Sequence, residues 1–473
     1  MTSPGEGRRL AVLGAGPGGY PAAFLAAEHG FEVTLIDERA QPGGVCLWVG
    51  CIPSKALLHA ASVLYDARAA EAIGITFEPP RIDLDRLREW KDKEVVAKLT
   101  GGLGQIARAR RVRLVHGRGR FVDDHTIRVQ ADGELTEVEF DHAIIATGSR
   151  PSIPPPLRID SKRVWDSSDA LALTEIPRTL LVVGGGYIGL EMATVYAALG
   201  TAVTVVEMTA SLLPGADADL VKILAGAINE RMHEVLMETT VLSLKEAGDG
   251  VEVELSGSDV SETRQYDRVL IATGRRPNSE DLGLETVGVR LTNRGFIEVD
   301  HQRRTSEPSI FAIGDVAGEP MLAHKATHEA RVAVETLAGE PATWEPAAIP
   351  AVVFTDPEVA WCGLTENDAR ARGIEVEVTR FPWIASGRAT TVGRTDGVTK
   401  LLVEPGTQRV IGVGIVGPGA GELIGEGALA VEMGARLDDV RMTIHAHPTL
   451  SETLMEAAET FFNASPHYIA RRR

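Results

Sequence analysis

One local pattern, strand, glycine loop, helix, strand and acid, occurs twice in this chain, and the repetition leaves little freedom over the fold. Residues 10–13 are a short apolar run, followed by Gly14-Ala-Gly16-Pro-Gly-Gly19, a helical stretch through Glu28 and a second strand over 31–36 that ends at Asp37. The second copy has an apolar run at 180–183, then Gly184-Gly-Gly186-Tyr-Ile-Gly189, a helix through Leu199 and a strand over 202–206 ending at Glu207. First glycine and acid are 23 positions apart in both copies. Glycines at those places let a pyrophosphate approach a helix N-terminus, and the acid accepts hydrogen bonds from ribose hydroxyls. A lone glycine pattern is often only a tight turn; here strand, helix and acid flank it both times.

A second echo pairs Phe140-Asp-His-Ala-Ile-Ile-Ala-Thr-Gly148 with Tyr266-Asp-Arg-Val-Leu-Ile-Ala-Thr-Gly274. The glycine loops are offset by 170 positions and these segments by 126, so the first half is longer by 44 residues. Much of that extra length follows Asp37. Two matched echoes in one order predict two dinucleotide sites.

The inserted length carries Gly43-Gly-Val-Cys46-Leu-Trp-Val-Gly-Cys51-Ile-Pro-Ser-Lys55, with two of only three cysteines. In an undistorted helix, positions five apart place their Cα atoms roughly 8–9 Å from each other, beyond the ~7 Å reach of a disulfide. Bonding of the two sulfurs therefore requires the backbone to curl, which Gly50 permits. Pro53 suits the first turn of a helix continued by Leu57, Leu58, Ala61 and Leu64, and Cys51 would stand at its positive end, where a thiolate is favoured. Spacing alone is equally compatible with a working redox pair, two reduced thiols or a structural bridge. Two cysteines with no further Cys or His pair nearby fall short of four zinc ligands, so no metal is expected.

At 473 residues the chain is long for one core, and its 44% hydrophobic and 24% charged composition is that of a globular protein. A net charge of −18 argues against nucleic acid and anionic membranes and suits a basic partner surface. No apolar run approaches ~18 residues, so no membrane span is expected. The polar start leading directly into residues 10–13 leaves no room for a leader, and three cysteines without an export signal point to a reducing, cytoplasmic setting. Pro151-Ser-Ile-Pro-Pro-Pro156 reads as a linker, 310–315 as an apolar strand ending in Gly-Asp, and 341–350 as a loop-rich junction. Beyond it, apolar runs at 351–354, 400–403 and 410–416 predict a sheet, with helices from Glu422 and Ser451 packed on it. The last three arginines read as a solvated tail.

With the twin units, the cysteine segment and His445-Ala-His447-Pro-Thr-Leu-Ser-Glu452 in view, the chain resembles the pyridine nucleotide–disulfide oxidoreductases, from Gly14 to about Phe462. Within that family it is most similar to the branch that oxidises dihydrolipoamide. The resemblance implies an α/β chain with two Rossmann-like dinucleotide-binding domains plus a C-terminal α+β dimerisation domain. The divisions would be 1–150 for FAD and the redox disulfide, 151–275 for NAD, 276–347 completing the FAD site and 348–473 for the dimer interface. It also implies a homodimer in which His447, oriented by Glu452, serves the other subunit's Cys46 and Cys51 as acid and base. Expected partners are dihydrolipoamide or a lipoyl domain and the acyltransferase core of a 2-oxo acid dehydrogenase complex.

Matched residue by residue, FAD would be held by the loop Gly14, Gly16 and Gly19, by Asp37 at the ribose and by Gly44. Gly117 would lie near the adenine, Thr147 and Gly148 beside the cofactor, Asp315 at the ribityl or phosphate end, and Met321 and Ala323 near the flavin ring. Lys55 and Glu191 match the family's ion pair on the nicotinamide side of the flavin. NAD would be held by Gly184, Gly186, Tyr187, Gly189, Glu207, Val241 and Gly274. Glu207 is followed by Met-Thr-Ala-Ser with no basic residue, which predicts NAD over NADP because an acid there repels a 2′-phosphate. The competing expectation is a reductase of another low-molecular-weight disulfide using NAD(P)H. Two departures bear on it: Trp48 stands where the family usually has asparagine and would narrow the approach to the disulfide, and Tyr187 is usually aliphatic in this branch. Cys362 reads as a buried free thiol and His445 as structural.

Overall fold

The computed structural model describes residues 7–258 and 261–469, so the arginine tail lies outside the described residues. Two five-stranded sheets repeat one plan. In the first, Ile310–Ala312, His142–Ile145, Arg9–Leu13, Glu32–Asp37 and Arg113–His116 lie side by side, all parallel. In the second, Val164–Trp165, Arg268–Ile271, Thr179–Val183, Ala202–Val206 and Glu234–Leu236 take the same order, again all parallel. Strands covered on both faces must be apolar throughout, which is why these segments read as short unbroken hydrophobic runs. Each half also carries a three-stranded antiparallel meander, Arg118–Asp123 with Thr126–Ala131 and Glu134–Glu139, and Thr239–Ala247 with Gly250–Gly257 and Ser261–Tyr266.

The two repeated sequence echoes turn out to be the two sides of one contact. Gly14 has φ +101°, and a Cβ there would stand 2.3 Å from the carbonyl oxygen of Ala146; at Gly184, φ +113°, it would stand 2.5 Å from that of Ala272. Each glycine turn is thus pressed onto the Ala-Thr-Gly end of the neighbouring strand. Neither copy tolerates a side chain at its first glycine.

The extra length of the first half folds as helices between Glu32–Asp37 and Arg113–His116: Gly44–Val49, Cys51–Ala69, Leu84–Glu89, a π-helical turn Trp90–Ala97 and Lys98–Ala109. The matching crossover of the second half has the single helix Ala218–Arg231. Contrary to expectation, the stretch Gly44–Ile73 is long and apolar enough, by length and composition, to cross a membrane. Gly50 breaks it with φ −145° and ψ −119°, and Leu57, Leu58 and Ala61 bury in the core, so it is read as an internal element.

The expected linker is only partly loop. Ser149–Pro151 pairs antiparallel with Arg275–Pro277, stitching the two crossings between the halves together, and Pro155–Leu157 forms a 3-10 turn. The C-terminal sheet is antiparallel, in the order Ala351–Val353, Glu358–Gly363, Val410–Gly417, Val398–Val403, Glu377–Pro382. Ala420–Glu432 and Glu452–Phe461 supply Ile424, Val431, Leu454 and Ala457 to its core. It is tied to the second half by Lys400, fully buried, whose Nζ lies 2.6 Å from Asp217, 2.8 Å from Asp219 and 2.8 Å from Glu366. The three carboxylates have a metal-like arrangement. The lysine ammonium stands among them, as a buried charge set requires.

Candidate active site around the dithiol

Helix Gly44–Val49 ends at Gly50 and helix Cys51–Ala69 begins at the next residue, so Cys46 and Cys51 belong to two helices, not to one. This break supplies the curl the spacing demanded. At Gly50 a Cβ would lie 2.8 Å from the carbonyl oxygen of Val45, which leaves room for hydrogen alone. Both cysteines are free thiols in the structure, the reduced form of the expected redox pair. Their side chains share a hydrogen bond that favours charge on Cys51, whose pKa falls to about 7. The bond from Cys46 is the main cause, and Lys55 adds to it against burial and the charge of Glu191. Cys46, the donor, is pushed far upward by that bond and by burial. The charge of the pair therefore resides on Cys51. Titrating the reduced holoenzyme by its ultraviolet thiolate absorbance, with a Cys51→Ser protein as the blank, is expected to show a midpoint near 7; a midpoint near the ordinary ~8.5 would contradict this geometry.

Lys55 stands one turn into the same helix. Its Nζ reaches Glu191 Oε1 at 2.9 Å and Oε2 at 2.8 Å, and the Glu191 side chain is 4% exposed. A buried carboxylate without such partners would cost several kcal/mol, so the pair must form together.

A cavity of about 720 Å³ opens onto these groups. Its wall includes Cys46, Cys51, Lys55, Glu191 and Tyr187, together with Gly14, Gly16, Gly44, Asp37 and Gly117. Thr147, Gly148, Asp315, Met321 and Ala323 complete the expected set. Gly44, φ +57°, lies so close to the loop that a Cβ would stand 2.4 Å from Gly16 Cα, which docks the cysteine segment on the glycine cradle. Asp37 accepts from the backbone N–H of Ala15 at 2.6 Å and of Arg39 at 2.8 Å, fixing the acid at the mouth of the loop. Gly19 lies outside the wall; its place is against Gly14, whose oxygen a Cβ would approach to 1.7 Å. It serves packing, as Gly189 does against Gly184.

Asp315 is positioned by residues the sequence did not single out. Ser149 Oγ donates to it at 2.5 Å and itself accepts from Arg275 Nε at 2.7 Å. The Gly314 turn is held from below by Glu329, fully buried, which accepts from the Gly314 N–H, Lys325 and Arg303. Thr147 and Asn278 exchange two hydrogen bonds at 2.7 and 2.9 Å. Arg275 and Asn278 lie within four residues of the end of the second Ala-Thr-Gly echo, the one signal in the sequence that could have found them.

Of the nucleotide residues in the second half, Tyr187 alone enters this wall, and burial pushes its phenol up to about 12. Gly184, Gly186, Gly189 and Gly274 form the second glycine turn and its partner strand end. Glu207 is buried, with Oε2 accepting from Gly185 N–H at 2.7 Å and Oε1 from Thr209 N–H and Oγ1 at 2.8 Å each. Val241 packs in the core with Leu181 and Leu244. His447 and Glu452 line no part of the dithiol cavity of their own chain, and the His447 ring is 72% exposed with Nδ1 2.9 Å from Glu452.

Trp48 corrects an expectation. Two positions beyond Cys46 on a helix is about 200° around the axis, so its ring points away from the dithiol. It lines a separate cavity of about 380 Å³ with Arg88, Lys91 and Leu171, and its Nε1 donates to Gln41 at 3.4 Å. It lines no part of the dithiol cavity. Cys362 is buried, its thiol pushed up to about 12 by burial, and inert.

Two family models cover this arrangement: residues 8–330 match "Pyridine nucleotide-disulphide oxidoreductase" and 349–458 match the dimerisation domain of the same name. The chain belongs to the pyridine nucleotide–disulphide oxidoreductase family. A dihydrolipoyl dehydrogenase of Haemophilus influenzae is 49% identical over 454 residues, 96% of this chain and 95% of that one. Another, of Geobacillus stearothermophilus, is 45% identical over 97% of each chain. The crystal structure of LpdA from Mycobacterium tuberculosis superposes with a TM-score of 0.89 at 30% identity, covering 96% of this chain and 99% of that one. Family membership accounts for both glycine turns at once and for the cysteine helices inserted in the first.

Proposed function

We propose that this protein oxidises dihydrolipoyl groups to lipoyl groups, with FAD in the first nucleotide site and NAD⁺ as hydride acceptor in the second. The observation that carries this is the common wall: a polarised dithiol, the Lys55–Glu191 pair and a glycine dinucleotide cradle all face one cavity. That wall fits FAD, since it offers a side-chain-free loop for the pyrophosphate, an acid for the ribose and a dithiol at the far functional end. Held by those residues, FAD would supply the two-electron redox chemistry that links the dithiol to the nicotinamide. The relatives named dihydrolipoyl dehydrogenase support the substrate class. The divisions at 1–150, 151–275, 276–347 and 348–473 belong to the same reading.

The chain's own residues act as follows. His447 of one subunit takes the proton from a substrate thiol at Nε2, its other nitrogen being held by Glu452. The substrate thiolate attacks Cys46 of the oxidised pair; the Cys46–Cys51 bond breaks and Cys51 leaves as the thiolate its surroundings favour. The second substrate thiol then displaces Cys46, its proton passing to the departing Cys46 sulfur, and the lipoyl disulfide closes with Cys46 left as a thiol, Cys51 as a thiolate and His447 protonated. Lys55 keeps positive charge beside the leaving sulfur. Glu207, already held by Gly185 and Thr209, sets a negative charge where NADP would bring a 2′-phosphate.

The match of residues 349–458 to the family's dimerisation domain supports a homodimer, and so does the absence of His447 from the dithiol cavity of its own chain. The C-terminal lobe leaves Met433 75%, Met442 73% and Ile444 97% exposed, an apolar surface that a second copy would cover. The charge of −18 suits docking on a basic acyltransferase core in the cytoplasm. Steady-state assays of dihydrolipoamide against reduced glutathione, each with NAD⁺ and NADP⁺, test the reading. We expect turnover with dihydrolipoamide alone and kcat/KM at least about tenfold higher with NAD⁺, like-charge contact being costly. Turnover of glutathione at an equal rate, or preference for NADP⁺, would overturn it.

A further inference from the structure

We infer that Phe354 is a positioning residue, holding the Lys55–Glu191 pair and thereby tying the redox pocket to the C-terminal lobe of the same chain. The three residues come from three places: Lys55 from the cysteine helix, Glu191 from helix Tyr187–Ala198, and Phe354 from the end of strand Ala351–Val353. Two contacts converge on the pair. The backbone N–H of Phe354 donates to Glu191 Oε1 at 3.1 Å, and Lys55 Nζ lies 4.4 Å from the centroid of its ring. A cation within about 6 Å of a ring face is attracted to it, more strongly where water is scarce. Lysine is a point charge on a flexible four-carbon stem, so the carboxylate alone leaves it room to swing, and the ring removes that room. Phe354 lines no part of the dithiol cavity, so it acts only through the pair.

The ring is placed in turn by helix Ala420–Glu432. A Cβ on Gly421 would lie 3.3 Å from Phe354 Cε1 and 2.9 Å from Val352 Cγ1, and the Gly421 N–H donates to Glu358 at 2.8 Å. The same helix carries Glu426, which accepts from His445 Nε2 at 2.8 Å, two residues before His447. One helix therefore touches both the support of Lys55 and the loop that presents His447. The C-terminal lobe therefore supports the Lys55–Glu191 pair of its own chain and carries the loop of His447, which acts on the other subunit's dithiol.

The inference rests on the proposed function only in placing FAD beside Cys51. Its test compares Phe354→Leu, which keeps the N–H and the apolar bulk, with Phe354→Tyr, which keeps the ring, in the full-length holoenzyme. The first measurement is the thiolate titration of the reduced protein. A loosened Lys55 stabilises Cys51 less, so the Leu variant is expected to titrate at least about half a unit higher and the Tyr variant with the parent. The second is stopped-flow reduction of bound flavin by NADH, expected three- to tenfold slower with Leu and parental with Tyr. Parental behaviour of the Leu variant in both measurements would overturn the role, and so would equal impairment of Leu and Tyr, which would assign the site to shape alone. Neither measurement uses a dithiol substrate, so failure of dihydrolipoamide as substrate would remove the proposed function and leave this result to stand or fall by itself.

Discussion

Replacing Cys51 with serine is expected to lower dihydrolipoamide oxidation by NAD⁺ on the order of 10³-fold or more, because a hydroxyl neither forms the disulfide nor leaves as an anion at neutral pH. The geometry makes the loss specific. Cys51 is the first residue of its helix, its charge is supported by Cys46 and Lys55, and serine fills the same space without strain. The variant should therefore bind FAD with a parental yellow spectrum and still pass electrons from NADH to an artificial one-electron acceptor within a few-fold of the parent. Residual dithiol oxidation above a tenth of the parent rate would show that the sulfur pair is not the route.

The second large effect is at His447. His447→Gln is expected to reduce the dithiol reaction by 10²- to 10⁴-fold, the range a positioned acid–base group supplies. Glu452→Gln should cost less, about tenfold, since the carboxylate orients the ring and touches no substrate. The exposed ring, outside the dithiol cavity of its own chain, predicts something a single-chain site would not. Mixing Cys51→Ser and His447→Gln subunits under exchange gives dimers with one intact site, because each variant supplies what the other lacks. With random pairing about a quarter of parental activity should return. If two inactive variants stay inactive after verified exchange, His447 does not act across the interface.

Legibility of this protein varied with the kind of constraint. The glycine turns were plain because their chemistry is local: no side chain fits at Gly14 or Gly19, and loop, helix and acid lie within a few turns of one another. The second echo was visible as repetition, yet only the folded contact of Gly14 with Ala146 and of Gly184 with Ala272 explains why both echoes recur together. Lys55 and Glu191 came through resemblance, and nothing in their own neighbourhoods marked them. Phe354 was part of an apolar run like any other.

Trp48 shows the converse error. Proximity in sequence to Cys46 suggested proximity to the reacting sulfur, but two residues along a helix is nearly the opposite face. The pairing of the cysteines was undecided by spacing for the same reason in reverse, since a regular helix would hold them apart and the break at Gly50 brings them together.

By itself the sequence determined the two nucleotide units, their order and the stretch that carries the dithiol, because those depend on backbone sterics and hydrophobic period within some thirty residues. Only the tertiary structure decided which thiol carries the charge, what supports Lys55, where Trp48 points and that His447 lies outside the dithiol cavity of its own chain. Charge stabilisation and ring contacts fall off within a few ångströms; the break at Gly50 sets the local ones at Cys51, and those that hold Lys55 join Glu191 and Phe354 from positions more than a hundred residues apart.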